Sequence, residues 1–373
     1  MKWIFWGAAG LIFYTYLGYV VWLWLRALLN SWPVQRGPQQ PFVSILMVVR
    51  NEEQVLECKM KNLLELVYPP ERLQIVVVSD GSTDRTADIL RRFAGNSRVQ
   101  VLLNQLPNGK AAGLNDAVSL AQGEIVVFTD ARQQIEANAL GLLMEGFADP
   151  EVGCVSGELM LGDPKSGECV NGMGLYWRVE KEIRQLEARS GSAVGATGAL
   201  YAVRRELVPV VPPGTILDDV YVPMEVVHRG KRVIFEPRAR VWDVPFLGAE
   251  REFARKVRTL SGNYQLVQLA PWLLSGSNPL RLEFISHKLL RLVVPFALAA
   301  MLVSSILLPG QIYRMALVLQ LLFYGLGLLA RLRLSLGPIT RMGDAALTFV
   351  VLNTAAAVAF LKFITGRKVV WIR

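Results

Sequence analysis

Four long apolar stretches bracket this chain: Phe5–Leu29, Leu289–Leu308, Ile312–Ala330 and Ala345–Ile364. A helix needs about 20 mostly apolar residues to cross a bilayer, and each stretch is long enough. The first has no charge before Arg26. A secretory signal peptide is its alternative reading, but such a core is shorter and ends in small residues. This run is rich in Trp, and no Ala-x-Ala site follows it. An uncleaved anchor is the expectation. Buried core helices are the alternative for the other three, and their nearly charge-free interiors fit lipid better.

Between the spans lies a polar region of ordinary globular character. The chain has 373 residues, 52% of them hydrophobic, and a formal charge of +9. Basic residues cluster near the apolar stretches and in Arg251–Arg258. That placement favours anionic head groups and a diphosphate ligand. It shows no zinc-finger spacing and no basic stripe with interleaved aromatics, so nucleic acid is not an expected partner. The cysteines Cys58, Cys154 and Cys169 are too few and too scattered for a disulfide framework. They fit a reducing compartment. With only His228 and His287 and no CxxC, a zinc site is not expected.

Ser31–Pro41 reads as a linker. Beyond it, strands at Val43–Val49, Leu73–Val78, Val99–Leu103 and Glu124–Phe128 alternate with helical spacing at Glu52–Leu66, Arg85–Phe93 and Lys110–Ala121. Such alternation predicts a parallel sheet covered by helices on both faces. Ligands bind such sheets at the carboxyl ends of the strands, where Arg50-Asn51-Glu52, Asp80-Gly81-Ser82 and Thr129-Asp130 fall. The stretch from Gly153 to about Val244 is more mixed, and Arg251–Val267 has amphipathic helical spacing. That segment reads either as an interface helix or as a surface helix of the domain. The expected organisation is a membrane helix over 1–30, a linker over 31–41, a catalytic domain over 42–250, interface helices over 251–284 and a membrane region over 285–373.

Several motifs carry chemistry, each with a plainer alternative. Ser79–Asp84 follows a strand and opens a helix, so Asp80 either meets a base or belongs to a turn and cap. Lys110 stands at a helix start, where the helix dipole is positive. A nearby anion would offset that, and a solvated turn lysine is the alternative. Asp130 ends a strand, where a carboxylate suits a ribose or a divalent metal. Asp218-Asp219 pairs two carboxylates; the like charge raises a carboxyl pKa, as a general base requires. Capping of the following helix is the alternative. Arg255 and Arg258 share a helical face, suited to a diphosphate or to lipid head groups.

In order, from Val43 to about Gln268, these motifs resemble a family 2 glycosyltransferase of the GT-A fold. The flanking helices are similar to its synthase branch, which includes cellulose, hyaluronan and poly-N-acetylglucosamine synthases. The resemblance implies an α/β GT-A domain with a Rossmann-like, mostly parallel sheet set between membrane helices. It implies a nucleotide-sugar donor, a UDP-sugar by the resemblance, bound by Val48, Arg50, Glu52, Asp80, Lys110, Asp130 and Arg258. It assigns Asp219 as general base of an inverting transfer to a lipid or glycan acceptor. Gly195-Ala196-Thr197-Gly198-Ala199 is similar to the glycine-rich strand lining the acceptor cleft.

Three departures matter. Asp130-Ala131-Arg132 lacks the second Asp of the DxD motif, which weakens the implied Mg²⁺ or Mn²⁺ site at Asp130. Thr259 stands where polymerising synthases carry an acceptor-supporting Trp, which favours single transfer. Ser79 replaces the first Asp of its turn. A catalytically inactive nucleotide-sugar-binding subunit of a polysaccharide synthase is the alternative function. Because nucleotide sugars are cytosolic, the expected setting is a bacterial inner membrane with the domain in the cytoplasm. Arg331, Arg333 and Arg341 agree with that side, whereas Lys362, Arg367, Lys368 and Arg373 do not.

Overall fold

The computed structural model describes residues 1–163, 168–169, 175–244, 249–332 and 340–366. Arg333, Arg367, Lys368 and Arg373 lie outside the described residues, as does the side chain of Cys169.

Four strands form the first half of the sheet: β1 (Val43–Val49), β2 (Leu73–Asp80), β3 (Val99–Asn104) and β4 (Ile125–Thr129). Their order is β3-β2-β1-β4, and every pairing is parallel. All residues of β1, β2 and β4 are buried, as expected of strands covered on both faces. The helix α1 (Lys2–Leu29) precedes the sheet, and the cover comes from later helices. After that first span, α2 (Leu56–Leu64) and α3 (Thr86–Phe93) pack Leu56, Met60 and Leu90 against Ile45, Met47 and Val77. On the other face, α4 (Lys110–Leu120) packs Ala111, Leu114 and Ala117 against Leu46, Val48 and Val76.

The predicted helix over Glu52–Leu66 begins only at Leu56. Its first residues are held elsewhere: the N–H groups of Asn51, Glu52 and Glu53 donate to Ser82 Oγ, Thr86 Oγ1 and Asp84 Oδ2. Asn51 adopts φ 55°, a conformation that Asn tolerates better than most residues.

The second half of the sheet is mixed. The short β5 (Gln134–Ile135) precedes α5 (Ala139–Glu145), and β6 (Val152–Asp163) pairs with the two-residue β7 (Glu168–Cys169). Then come α6 (Leu175–Arg189), β8 (Leu200–Arg204), α7 (Asp218–His228) and β9 (Arg232–Asp243). β8 lies antiparallel between β4 and β6, while β6 and β9 run parallel. The pattern of residues did not reveal β6 or α6. Glycines at 153, 157 and 162 break the apolar run of β6. Gly157 is there because a Cβ would lie 2.7 Å from Ala239 O on the neighbouring strand.

The remaining helices are α8 (Ala249–Leu269), α9 (Arg281–Leu307), α10 (Gln311–Arg331) and α11 (Thr340–Ile364). With α1, the last three are long and apolar enough to cross a membrane. α9 starts at Arg281 rather than Leu289, so Glu283, His287, Lys288 and Arg291 belong to it. The spanning helices hold the domain through apolar seams. Tyr19 and Leu23 of α1 pack on Ile183 and Leu186 of α6, and Ala355 and Ala359 of α11 pack on Val257 of α8.

Candidate active site

The carboxyl ends of β1, β2 and β4 converge with the start of α7. At the centre is Lys110, the first residue of α4. Its Nζ donates to Asp130 Oδ1 at 3.1 Å and lies 3.3 Å from Asp218 Oδ2. Protein carboxylates therefore supply the anions that a lysine at a helix start calls for. Burial alone pulls the Lys110 pKa down, but Asp130, Asp218 and Asp219 together outweigh it and hold the ammonium charged. Gly109, before it, has φ 91°, which suits a residue without a Cβ.

Asp218 and Asp219 occupy the first turn of α7, whose N-cap is Leu217 with no side-chain cap bond. The capping alternative is thus not realised. Asp218 is buried; Asp219 is half-buried. Burial pushes the Asp219 pKa up to about 6, Asp218 adds to it, and Lys110, Lys288 and Arg184 oppose it. Ala196 N–H donates to the Asp219 carbonyl at 2.7 Å, docking the glycine-rich segment on this turn. A Cβ on Gly198 would sit 2.9 Å from Asp219 Oδ2.

Asp80 is fully buried at the end of β2. Both of its oxygens are engaged: Oδ1 accepts from Asn108 N–H at 2.7 Å and Oδ2 from Gly109 N–H at 3.0 Å. It fixes the loop that delivers Lys110. Gly81, at φ 60°, lets that loop pass close by. Val48 is 6% exposed; its side chain packs under α4, where a Cβ on Gly113 would meet Val48 Cγ1 at 2.7 Å. Its side chain is therefore core rather than cleft. Arg50, at the end of β1, keeps Nε buried without a hydrogen-bond partner. Burial raises the Glu52 pKa; Arg132 opposes this and Asp130 adds to it, so these three share one electrostatic neighbourhood.

Arg132 Nη2 donates to Asp243 Oδ2 at 2.6 Å, and Gln133 Nε2 donates to the same oxygen at 3.1 Å. Asp130 is thus a carboxylate paired with Lys110, and no group of three His, Cys, Asp or Glu among the described residues is arranged to hold a metal. A divalent ion takes several oxygen ligands, and from this motif Asp130 supplies one carboxylate. Arg258 lies on α8, half-buried. One turn along the same face, Gly262 packs on Leu217, and Gln265 Oε1 accepts from Ile216 N–H at 2.9 Å. α8 is thereby pinned to the turn that leads into Asp218.

Lys59 escaped the sequence reading. It is 1% exposed, and its Nζ donates to Thr129 Oγ1 at 2.9 Å and Gln133 O at 2.7 Å, bracing the loop that carries Asp130. Burial pushes its pKa down to about 7, Asp130 opposing. Asp243 and Arg184 were missed too; only folding brings them near.

Residues 44–210 match the family model described as glycosyl transferase family 2. A beta-monoglucosyldiacylglycerol synthase of Nostoc sp. is 31% identical over 169 residues, 44% of this chain and 36% of that protein. A poly-beta-1,6-N-acetyl-D-glucosamine synthase of Staphylococcus aureus is 25% identical over 227 residues, 58% of this chain and 53% of that protein. The chain thus spans about half or less of the length of these curated relatives. A mannosyltransferase from Pyrobaculum calidifontis, solved with GDP-Man and Mn²⁺, superposes with a TM-score of 0.74 at 24% identity, covering 97% of this chain and 99% of that one. That likeness extends the shared fold to the flanking helices.

Proposed function

For a chain that carries a family 2 glycosyltransferase domain on a GT-A fold, we propose an inverting membrane transferase. It moves a sugar from a nucleotide-diphosphate sugar to an acceptor at the membrane surface. The observation that carries this is the junction of Lys110, Asp130, Asp218 and Asp219, brought together from β4, α4 and α7. Asp219 is the general base, and its raised pKa keeps it basic yet ionised near neutrality. It takes the acceptor hydroxyl's proton as that oxygen attacks the anomeric carbon and the nucleoside diphosphate departs. Lys110 and Arg258 stabilise the charge growing on the diphosphate, and Arg50 and Glu52 face the nucleoside. Asp80 acts by holding the Lys110 loop.

The resemblance favours a UDP-sugar, and the structural neighbour holds GDP-Man, so the donor base is tested with both. No step is routed through a metal, because Lys110 already pairs with Asp130. The four apolar helices support a membrane protein, and a donor made in the cytosol supports a domain that faces the cytoplasm.

The test incubates purified protein with UDP- and GDP-sugars and a membrane lipid extract, with products read by mass spectrometry. Wild type transfers sugar; Asp219→Asn loses about 10²–10⁴-fold while still binding nucleotide. A normal rate in Asp219→Asn would rule out this assignment.

A further inference from the structure

The glycine-rich segment that carries Asp219 is itself held from the side of the spanning helices. Residues 191–199 form neither helix nor strand, so no ladder fixes them and their place depends on individual hydrogen bonds. Val194 N–H donates to Glu187 Oε2 at 3.1 Å. Two residues on, Ala196 N–H donates to the Asp219 carbonyl at 2.7 Å, and a Cβ on Gly195 would lie 3.2 Å from that same oxygen. Gly198 then meets the Asp219 carboxylate. The segment thus touches both the main chain and the side chain of the base.

Glu187 is in turn held by α9 and α1. It is 2% exposed, and His287 of α9 is 1% exposed. His287 Nδ1 lies 2.8 Å from Glu187 Oε1, and its Nε2 lies 2.9 Å from Glu180 Oε1. The Tyr19 hydroxyl of α1 donates to Glu187 Oε1 at 2.7 Å, and Arg291 Nη1 of α9 donates to Glu180 Oε2 at 2.7 Å. Glu180 and Glu187 stand seven residues apart, on one face of α6. A neutral imidazole donates from one nitrogen only, so His287 donates to both acids only when both nitrogens carry hydrogen. A buried carboxylate stripped of its donors is costly, so these partners fix where Glu187 stands. One continuous path therefore runs from α9 through His287, Glu187, Val194 and Ala196 to Asp219.

We propose that His287 and Glu187 are positioning residues for the transfer: they seat Asp219 by tying α9 to the segment that carries it. This rests on the transferase reading above, and neither residue meets substrate. Packing alone does not require the pair. Tyr19 and Leu23 already hold α1 to Ile183 and Leu186 of α6, and buried ion pairs add little stability over apolar contacts. What the carboxylate adds is direction: Glu187 turns Oε1 to the spanning helices and Oε2 to Val194. The far end of the segment is fixed separately, where Thr197 N–H donates to Ser156 Oγ at 2.9 Å and Arg184 Nη1 donates to Thr197 Oγ1 at 2.7 Å. Glu187 fixes the near end. Without it the base drifts from its seat, and a misplacement of about 1 Å can cost about 10²-fold in rate.

The experiment uses the full chain in detergent and compares wild type with His287→Gln, Glu187→Gln and the double variant. Hydrogen exchange, read by mass spectrometry, follows the peptide that holds Val194 and Ala196. Kinetics follow kcat, its acid limb and the affinity for UDP and GDP. Each single variant exchanges these amides about tenfold faster or more, lowers kcat by about 10- to 10²-fold and binds nucleotide as wild type does. The double variant loses no more than the worse single, because both cut one path. A misplaced base is less buried, and burial is the first cause that raises the Asp219 pKa, so the acid limb moves to lower pH in both. Charge acting at a distance would instead move it down in Glu187→Gln and up in His287→Gln. Asp218, Lys110, Lys288 and Arg184, the charges that act on Asp219, stay in every variant. Asn353→Leu removes a 3.2 Å bond from Asn353 Nδ2 to the Tyr16 hydroxyl, between α11 and α1, and changes none of these readouts. If Glu187→Gln fails to fold, Tyr19→Phe replaces it, removing one donor to Glu187 and moving the same readouts by less. Unchanged exchange in His287→Gln overturns the proposal. So does an unchanged kcat, a double variant whose loss is the product of the two singles, or limbs that move in opposite directions. Exchange is read without substrate, so it decides the link even if wild type transfers no sugar, a result that would overturn the transferase reading instead.

Discussion

The Asp219 carboxylate rests on Gly198: a Cβ at that position would lie 2.9 Å from Oδ2 and 3.4 Å from Cγ. Gly198 is not in a left-handed conformation, so its lack of a side chain serves the contact alone. Gly198→Ala should fold normally and push the carboxylate aside. A displacement of about 1 Å can cost about 10²-fold in rate. Nucleotide binding should be unaffected, since the donor contacts proposed above lie on β1, α4 and α8. Steady-state transfer rates with parallel nucleotide titration check this, and a wild-type rate in Gly198→Ala would remove Gly198 from the catalytic account.

How much of this was legible from residues alone follows from where the signals lie. β1 to β4 show as unbroken apolar runs because both faces are covered, and the strand ends mark the cleft. Asp219 and Lys110 stood out by charge at a helix start. The site's second layer did not stand out. Lys59 lies inside a segment of helical spacing as an ordinary polar residue, and only the packing of α2 under β4 buries it. Asp243 and Arg132 are joined across the sheet by β9, which no local pattern connects to β4. The apolar sum that defines a span also hid the start of α9, because its polar first turns are buried against α6 rather than exposed.

Metal dependence follows from Arg132. A second carboxylate is replaced by a cation paired with Asp243 at 2.6 Å, and Lys110 already contacts Asp130. Positive charge from the protein thus occupies the region where a metal would neutralise the donor phosphates. Transfer should fall less than about tenfold in excess chelator, a change of under about 1.4 kcal/mol in barrier. Complete loss of activity in chelator, restored by Mn²⁺, would show that Asp130 and the donor phosphates hold a required ion.

Two substitutions around Asp219 should move the pH profile in opposite directions. The base must be ionised to accept a proton, so the rate falls as pH drops through about 6. After burial, the like charge of Asp218 is the next cause raising that pKa, whereas Lys110 lowers it. Asp218→Asn removes the repulsion, so the acid limb should shift to lower pH. Lys110→Met removes the attraction, so the limb should shift to higher pH, and the maximal rate should also fall because Lys110 no longer meets the diphosphate. The check is the acid limb of kcat for the wild type and both variants on one acceptor. Shifts of the same sign in the two variants, or none, would mean that the ionisation limiting the rate is not that of Asp219.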